Sequence, residues 1–464
     1  MKSFFQYAVW VGLAGLFGIA LVTLVPQLIT LAINYSRGNV AANNLTYQAA
    51  AAGTTAAWPL SAKEILDPVF TPPTAGKAIR ADLSAMKLSL YEDGQEVGTY
   101  DILAKGKPGK AWETPAGNYH ILTKEENHFS SIGQVWMPWS MQFFGNFFIH
   151  GWPYDENGKE VPEGYSGGCI RLSTNDAETV YKFATADTLV SVYGVATETP
   201  ATNQAYYINT NERPKITAAS YAVADLETGD LIMAKDDETP RPIASVSKLL
   251  TALTSLDVIN QYQVATIQAA AVATYGTQGN LKAGEKLPIN ELLFPMLLES
   301  SNDAAEALAQ HFGRASFLNQ INNKALAVGL KNTHFDDPSG LSPKNVSTAR
   351  DLARLAKHIY QYKRYIFDVT NQSKHTYNGQ TWFNSNKLVG TSGYLGGKNG
   401  FTDEAEQTQV ALFNLPLSEF GERPVVLVIL KSTNRDKDMS ALVSFIKAHA
   451  VFGEAPKNST FHYL

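Results

Sequence analysis

Ser245 and Lys248 stand three residues apart in the stretch Pro-Ile-Ala-Ser-Val-Ser-Lys, where an apolar pattern predicts a helix from Ser245 to about Ile259. Side chains at this spacing share one face of a helix, so the lysine amine can reach the serine hydroxyl. A lysine whose pKa is lowered by burial or by a nearby charge can take the serine proton and create a nucleophile. Surface helices also carry this spacing by chance, so the rest of the chain must decide between the two interpretations.

Two later segments carry polar groups that suit the same site. Ser300 and Asn302 lie in an apolar-periodic segment, Leu292 to Gly313, which we predict as one helix; they offer a hydroxyl and an amide to a lysine or a substrate. Lys398-Asn399-Gly400 precedes a predicted strand, Gln409 to Phe413, and a lysine on an exposed edge strand can hold a substrate carboxylate. Taken singly, each segment is equally well explained as a capping turn or a loop.

Together the three motifs have the order and separations of the serine D,D-peptidases. Residues 216–453 resemble the D-alanyl-D-alanine carboxypeptidases among the low-molecular-weight penicillin-binding proteins. The supporting stretches are Pro242-Ile243-Ala244-Ser245, Leu297 to Leu308, Lys331-Asn332-Thr333-His334-Phe335, Pro338-Ser339-Gly340-Leu341 and Ser347-Thr348-Ala349-Arg350-Asp351-Leu352. The resemblance implies an α/β (α+β) fold of the β-lactamase and penicillin-binding-protein type.

The resemblance also implies a role for each motif residue. Ser245 would be the nucleophile and Lys248 its base, while Ser300 and Asn302 would relay protons and position the substrate. Lys398, Asn399 and Gly400 would bind substrate, and the backbone N–H groups of Ser245 and Phe401 would form the oxyanion hole. Two residues depart from the family pattern: Asn399 replaces a threonine, and Glu406 replaces a common glycine. The first change leaves specificity for a free terminal carboxylate open.

A second possible nucleophile lies earlier, in a strand-like region from about Lys77 to Tyr193. His150 ends the apolar run Phe147-Phe148-Ile149, and Cys169 follows Gly167 and Gly168, which allow a tight turn and close approach of a substrate. A nearby histidine can deprotonate a thiol and stabilise the thiolate. An inert buried cysteine beside a structural histidine is the alternative.

Residues 77–193 are similar to the L,D-transpeptidase catalytic domain, which cross-links peptidoglycan. The matching segments are Thr114-Pro115-x-Gly117, Met137-Pro138, His150-Gly151 and Ser166-x-Gly168-Cys169-Ile170-Arg171-Leu172. The resemblance implies Cys169 as nucleophile, His150 as base, and the Gly151 carbonyl as the group that orients the imidazole. It also implies backbone N–H groups near Gly168 as oxyanion donors, and Arg171 as an anchor for the peptide stem. The family usually has a histidine at the position of Gly167.

The N-terminal segment from Ser3 to Tyr35 is uncharged and mostly apolar, with Lys2 before it and Arg37 after it. Its densest part, Tyr7 to Val25, approaches the roughly 20 residues that span a bilayer. We expect a single-pass signal anchor with Lys2 inside and the remaining chain outside a bacterial cell membrane. A cleaved signal peptide is the alternative, although it would have a shorter apolar core and a small-residue cleavage site.

These observations divide the 464 residues into a multidomain chain. The predicted parts are a transmembrane anchor (1–36), a tether (37–76), a mainly-β L,D-transpeptidase domain (77–195), a Thr/Asn/Pro-rich linker (196–215), a carboxypeptidase-like domain (216–455) and a tail (456–464).

Composition excludes several other classes of function. The net charge is -5 and no Lys/Arg-rich block occurs, so nucleic-acid binding has no electrostatic support. Cys169 is the single cysteine, which forbids an internal disulfide. The nine histidines are scattered and no C-x-x-C or H-E-x-x-H motif occurs, so we predict no metal and no cofactor.

The sequence therefore predicts a bifunctional peptidoglycan enzyme whose partners are stem peptides, with β-lactams as covalent inhibitors. Ser245 would trim pentapeptide stems to tetrapeptides, and Cys169 would cross-link tetrapeptide donors to an acceptor amine. Two alternatives stay open. The serine domain could cut D,D cross-links as an endopeptidase while the cysteine domain acts as an L,D-carboxypeptidase. Otherwise, one site could be inactive in a wall-binding scaffold.

Overall fold

The computed structural model describes residues 70–194, 204–418, 421–454 and 462–463. The predicted anchor at residues 1–36 and most of the predicted tether at 37–76 lie outside those ranges. Within them, no helix is both long and apolar enough to cross a membrane.

Strands dominate the first fold, as its alternating sequence predicts. One sheet has the strand order β3-β2-β1-β9-β4, and the other has the order β5-β6-β7-β8. The elements in chain order are β1 (Lys77–Asp82), β2 (Lys87–Glu92), β3 (Gln95–Asp101), β4 (Gly117–His120), β5 (Thr123–Ser130), β6 (Val135–Phe144), β7 (Phe147–His150), β8 (Ile170–Arg171), α1 (Thr174–Phe183) and β9 (Leu189–Tyr193).

Two local features of this fold follow directly from sequence. Asp93 and Gly94 both take positive φ, 49° and 81°, which a tight two-residue hairpin turn requires and which Asp-Gly tolerates. The chain therefore reverses here in a tight hairpin that joins β2 to β3. Strands β7 and β8 run parallel, with His150 opposite Arg171, so the residue before β8, Cys169, comes beside β7.

The second fold is built on a mixed sheet of order β12-β11-β21-β20-β22-β10-β23, with β19 paired to β20. Its strands are β10 (Gln204–Ile208), β11 (Ser220–Asp225), β12 (Leu231–Lys235), β13 (Arg241–Pro242), β14 (Val264–Thr266), β15 (Lys286–Pro288), β16 (Val346–Ser347), β17 (Lys374–Tyr377), β18 (Gln380–Phe383), β19 (Tyr394–Thr402), β20 (Glu406–Ser418), β21 (Gly421–Ser432), β22 (Ala450–Glu454) and β23 (His462–Tyr463). Its helices are a 3-10 helix (Ala244–Ser247), α2 (Lys248–Val258), α3 (Ala269–Val272), α4 (Ile289–Leu298), α5 (Asn302–Phe312), α6 (Arg314–Ala327), α7 (Ala349–Tyr362), α8 (Tyr365–Thr370) and α9 (Arg435–His449).

Helices cover both faces of this sheet, because the sheet is apolar on both sides. Along β21, Val426 and Val428 belong to the cluster that contains α7, whereas Leu427 and Ile429 belong to the cluster that contains α9. Successive side chains of a strand point to opposite faces, so an unbroken apolar run can fill two cores at once.

The predicted linker at 196–215 is wrong over residues 204–208, which form β10 and pair with β22 and β23. Tyr206 and Ile208 are buried in the core of the second fold. The polar residues on either side obscured this short apolar run in the sequence. Strand β23 lies in the segment predicted as a tail.

The single helix predicted from Leu292 to Gly313 is also wrong, because the structure has two helices, α4 and α5. Ser300 takes a left-handed φ of 66°, and the Ser301 hydroxyl caps α5 by accepting from the backbone N–H of Ala304. The helix predicted from Ser245 likewise begins as a 3-10 turn, and α2 itself starts at Lys248. Both differences place motif residues at helix ends.

The two folds share one hydrophobic cluster and a buried ionic contact. Asp257, near the end of α2, pairs with Lys324 at 2.8 Å and with Lys363 at 3.2 Å, and all three side chains are buried. The two lysines then reach into the first fold. Lys324 donates to the Tyr119 hydroxyl at 2.7 Å, and Lys363 donates to the Glu113 carbonyl at 2.6 Å.

Candidate active sites

Ser245 lies on the 3-10 helix that precedes α2, at a turn that needs a distant glycine. The preceding residue, Ala244, takes a φ of 49°, and Gly340 packs against it with a φ of 90°. A Cβ at Gly340 would come within 2.0 Å of the Ala244 carbonyl oxygen, so no larger residue fits there. The Pro-Ser-Gly-Leu stretch at 338–341 therefore shapes the turn that presents Ser245.

Lys248 is fully buried and gathers three acceptors around its amine. Its Nζ lies 2.9 Å from Ser245 Oγ, 2.7 Å from Asn302 Oδ1 and 2.6 Å from the Ser339 carbonyl. Burial lowers the pKa of Lys248 to about 7, although the charge of Asp337 opposes this shift. Because this shift favours the neutral amine, Lys248 can accept the Ser245 proton.

The two polar residues of the second motif, Ser300 and Asn302, contact different lysines of the site. Asn302 accepts from Lys248, whereas the Ser300 hydroxyl accepts from Lys398 Nζ at 3.0 Å. Burial, together with the positive charges of Lys248 and Arg435, lowers the pKa of Lys398 well below its usual value. The structure thus joins Ser245, Lys248, Ser300, Asn302 and Lys398 in one hydrogen-bonded group.

Strand β19 brings the third motif against the nucleophile. A Cβ at Gly400 would lie 2.8 Å from the backbone nitrogen of Ser245, so only glycine allows this approach. The next residue along β19 is Phe401, whose backbone N–H is the second oxyanion donor that the resemblance implies. The Asn399 side chain turns toward Lys398, whose Nζ lies 3.3 Å from Asn399 Oδ1. Glu406, the second departure, lies opposite Thr402 at the far end of the strand pair.

In the first fold, the buried His150 is held in one orientation by its neighbour. Its Nδ1 lies 2.6 Å from the Gly151 carbonyl oxygen. A carbonyl can only accept, so Nδ1 carries the proton and Nε2 is left with a free lone pair. Burial lowers the pKa of His150 to about 4, which keeps the imidazole neutral near pH 7.

Cys169 lies in a tight turn that its own segment stabilises. The Ser166 hydroxyl donates to the Cys169 carbonyl at 2.5 Å and accepts from the Gly168 N–H at 3.1 Å. Gly168 has a φ of 106°, and a Cβ there would come within 2.2 Å of the Phe147 ring. Gly167 is exposed, and a Cβ there would meet nothing within 4 Å. Packing therefore does not explain why this chain lacks a side chain at position 167.

Burial raises the pKa of Cys169 to about 11, although the charge of Arg171 opposes this shift. The thiol of Cys169 and the imidazole of His150, which line the same cavity, are therefore both neutral near pH 7. In such a pair the histidine can serve as a base during attack but not as a standing counter-ion. Arg171 lies over the Trp152 ring at 5.6 Å, and its buried Nε has no hydrogen-bond partner among the described residues. An unpartnered guanidinium nitrogen beside the nucleophile suits a substrate carboxylate.

Cys169, His150 and Arg171 line a cavity of about 670 Å³ whose walls come from both folds. The second fold contributes the end of α2 and the following loop, together with one residue of α4 and two of α8. The contributed residues are Leu256, Asp257, Ile259, Asn260, Gln261, Tyr262, Asn290, Tyr365 and Asp368. Sequence reasoning missed all of these, because none lies in a recognisable motif.

The two candidate sites lie at the two ends of α2. Its first residue is Lys248. In its last turn, Leu256 and Asp257 line the Cys169 cavity, and the Val258 carbonyl accepts a hydrogen bond from Asn146, another lining residue. A helix rises about 1.5 Å per residue, so the 11 residues of α2 separate these ends by about 16 Å.

Comparison with known proteins identifies both folds. The family model of the L,D-transpeptidase catalytic domain matches residues 76–192, and that of D-alanyl-D-alanine carboxypeptidases matches residues 207–433. A D-alanyl-D-alanine endopeptidase from Escherichia coli is 31% identical over 234 residues, which cover 48% of this chain and 73% of the relative. One from Pseudomonas aeruginosa is 33% identical over 237 residues, covering 47% and 72%. A solved D-alanyl-D-alanine carboxypeptidase from Mycobacterium tuberculosis covers 55% of this chain and 98% of its own, with 26% identity and a TM-score of 0.48.

Proposed function

Because this chain belongs to the D-alanyl-D-alanine carboxypeptidase family and carries an L,D-transpeptidase catalytic domain ahead of it, we propose that it remodels peptidoglycan with two separate nucleophiles, Ser245 and Cys169. The observation that carries the proposal is the contact between Lys248 Nζ and Ser245 Oγ at 2.9 Å, made by a lysine whose pKa is lowered to about 7. A neutral amine at this distance is a general base for the serine.

In the serine site, Ser245 attacks the carbonyl between the last two D-alanines of a pentapeptide stem, and Lys248 takes its proton. The tetrahedral oxygen is held by the N–H groups of Ser245 and Phe401. The D-alanine amine leaves with a proton delivered through the lysine and hydroxyl network, and water then hydrolyses the acyl ester. The products are D-alanine and a tetrapeptide stem.

In the cysteine site, the Cys169 thiol attacks the L,D bond of a tetrapeptide donor while His150 Nε2 takes the proton. That proton passes to the departing D-alanine amine, which leaves a thioester on Cys169. An amine from a neighbouring stem then attacks the thioester carbonyl. The product of the serine site is thus the donor of the cysteine site, and covalent linkage keeps both activities near the same stretch of wall.

Endopeptidase action is a second candidate for the serine site. Both relatives reported above at more than 30% identity carry the name D-alanyl-D-alanine endopeptidase. Asn399 also stands where the family pattern has threonine, beside the lysine expected to meet a terminal carboxylate. An endopeptidase cuts a D,D cross-link, whose carbonyl is followed by more peptide instead of a free carboxylate.

We also propose that residues 1–36 anchor the chain in a bacterial cell membrane, with both catalytic domains on the extracytoplasmic side. The uncharged apolar run from Ser3 to Tyr35 supports this. Fractionation of expressing cells tests it. The full chain should sediment with membranes and a chain starting at residue 40 should not, whereas equal release of both would contradict the anchor.

Covalent labelling tests whether both nucleophiles are active. A fluorescent penicillin should label the wild type and the Cys169→Ala variant but not Ser245→Ala. A carbapenem should add to the tryptic peptide that contains Cys169 in the wild type and in Ser245→Ala. A wall-binding scaffold with dead sites would take neither label, and loss of only one label would identify the inactive domain.

A further inference from the structure

The serine-peptidase domain reaches almost to the cysteine nucleophile. The Cys169 thiol lies 3.9 Å from the Asn146 carbonyl oxygen, and the Asn146 amide donates to the Val258 carbonyl of α2 at 3.3 Å. Gly145 takes a φ of 49°, and a Cβ there would lie 2.9 Å from the Asp257 carbonyl oxygen. Two successive contacts therefore connect Cys169 to the second domain.

This wall of the cavity is held firmly in place. The carboxylate of Asp257 is shared by two buried lysines that also bind backbone and hydroxyl groups of the first domain. Breaking such a contact leaves buried charges unpaired, which is strongly unfavourable. The cavity of about 670 Å³ is thus a pre-formed site of the size that holds a peptide segment.

The two walls of the cavity differ in chemistry. The first domain supplies cations, Arg171 near the nucleophile and the exposed Lys110. The second domain supplies the carboxylate of Asp368, whose neighbouring charge is Arg364. Amides and an exposed tyrosine come from both walls, Asn146 and Tyr165 from the first domain and Asn260, Gln261 and Tyr262 from the second, so the difference between the walls is one of charge. Asp257 also lines this wall, but its charge is already balanced by its two lysines.

Cross-linking brings two peptides to Cys169, and the charges at their reacting ends are opposite. The donor stem brings carboxylates, which suit the cationic wall. The acceptor brings an ammonium group, which a carboxylate attracts most strongly where water is partly excluded. Building on the proposed function, we infer that the carboxypeptidase domain forms the acceptor subsite of the L,D-transpeptidase, with Asp368 binding the amine of the incoming stem and Tyr262 packing along that stem.

Once the Cys169 thioester has formed, the acceptor nitrogen replaces the cysteine sulfur on the donor carbonyl. The acceptor ammonium loses one proton to solvent, and its neutral nitrogen attacks the thioester carbonyl. The C–N bond forms and the C–S bond breaks, while the second proton passes from the nitrogen through His150 to the cysteine sulfur. Asp368 binds and orients the amine and does not take part in the covalent step.

Steady-state kinetics of the full-length chain in detergent tests this assignment. The donor is a purified disaccharide-tetrapeptide at fixed concentration, with its side-chain amine acetylated so that it cannot act as an acceptor. The varied acceptor is a stem tripeptide with a free side-chain amine, which cannot itself act as a donor. Mass spectrometry follows release of D-alanine and formation of the cross-linked product, and the same tripeptide with an acetylated amine gives the background.

Asp368 is exposed, so we expect Asp368→Asn to raise the KM for the acceptor about two- to fivefold, the equivalent of one lost ion pair at an exposed carboxylate. More thioester should then be lost to hydrolysis. Tyr262→Ala should raise the same KM. The Tyr262 side chain is 82% exposed, so this substitution should not affect folding. Asp187→Asn, an exposed carboxylate that does not line the cavity, is the matched control.

An unchanged acceptor KM in both Asp368→Asn and Tyr262→Ala overturns the assignment while leaving the proposed function intact. Failure of the wild type to release D-alanine from the tetrapeptide is a different result, because it overturns the transpeptidase function on which the assignment rests.

Discussion

At the scale of single residues, burial shifts the pKa values of the groups at both candidate nucleophilic sites, with different consequences. Lys248 loses part of its charge on burial, so the base of the serine site is ready near neutral pH. Burial favours the neutral forms of both Cys169 and His150, so under the proposed function the cysteine site would ionise only as the substrate reacts. Burial therefore favours the neutral amine of Lys248 in one site and the neutral thiol of Cys169 in the other.

This assignment predicts how acylation of Ser245 depends on pH. The neutral amine of Lys248 is the active form, so lowering the pH through about 7 should protonate it and slow acylation, approaching about tenfold per pH unit. The measurement is the rate of fluorescent penicillin labelling between pH 5 and pH 9. The Cys169→Ala background restricts the label to Ser245. A rate that does not change across this interval would rule out Lys248 as the titrating base.

At the scale of secondary-structure elements, short turns place the catalytic groups, and glycines decide which turns are possible. The loop before β8 shows this most clearly, because its two adjacent glycines face different surroundings. Gly168 has a left-handed φ and lies against the Phe147 ring, whereas Gly167 is exposed to open space.

These neighbours form a matched pair for mutagenesis. Gly168→Ala should destabilise the protein by about 1–3 kcal/mol, because its Cβ overlaps the Phe147 ring and its backbone is strained. Gly167→Ala should change stability by less than about 0.5 kcal/mol. Thermal unfolding of both variants measures the difference. Equal melting temperatures would show that the turn relaxes and that this close contact is unimportant.

Sequence could nominate candidate residues for both sites because each motif is local. The hydrogen bond between His150 Nδ1 and the Gly151 carbonyl, expected by resemblance, involves neighbouring residues. Sequence failed where an element depends on a distant partner. Strand β10 is short and polar at its edges, and it pairs with β22, whose residues 450–454 lie far along the chain. The break at Ser300 was missed because the apolar period continues across it.

At the scale of the whole molecule, the two catalytic domains are joined by more than a covalent link. No motif predicts this contact, because Asp257, Lys324 and Lys363 come from three helices or their ends and look like surface charges in the sequence. The folded chain turns them into a buried cluster, and the end of α2 becomes a wall of the neighbouring cavity.

Removing the shared carboxylate should therefore affect both domains. Asp257→Asn leaves two buried lysines without their counter-ion and should cost about 3–5 kcal/mol of unfolding free energy. Carbapenem labelling of Cys169 should slow as the adjoining wall shifts. Glu178→Gln breaks the exposed pair with Lys182 and should change stability by less than about 1 kcal/mol. If denaturant unfolding gives the same free energy for both variants, the buried cluster does not hold the domains together.

The most direct test of the two-nucleophile account supplies the full-length chain with purified disaccharide-pentapeptide and follows products by mass spectrometry. The wild type should release D-alanine, accumulate tetrapeptide and then form cross-linked dimer. Cys169→Ala should stop at tetrapeptide. Ser245→Ala should leave pentapeptide intact and should form dimer only when tetrapeptide is added. Dimer formed from pentapeptide by Ser245→Ala, or tetrapeptide formed without Ser245, would contradict the account.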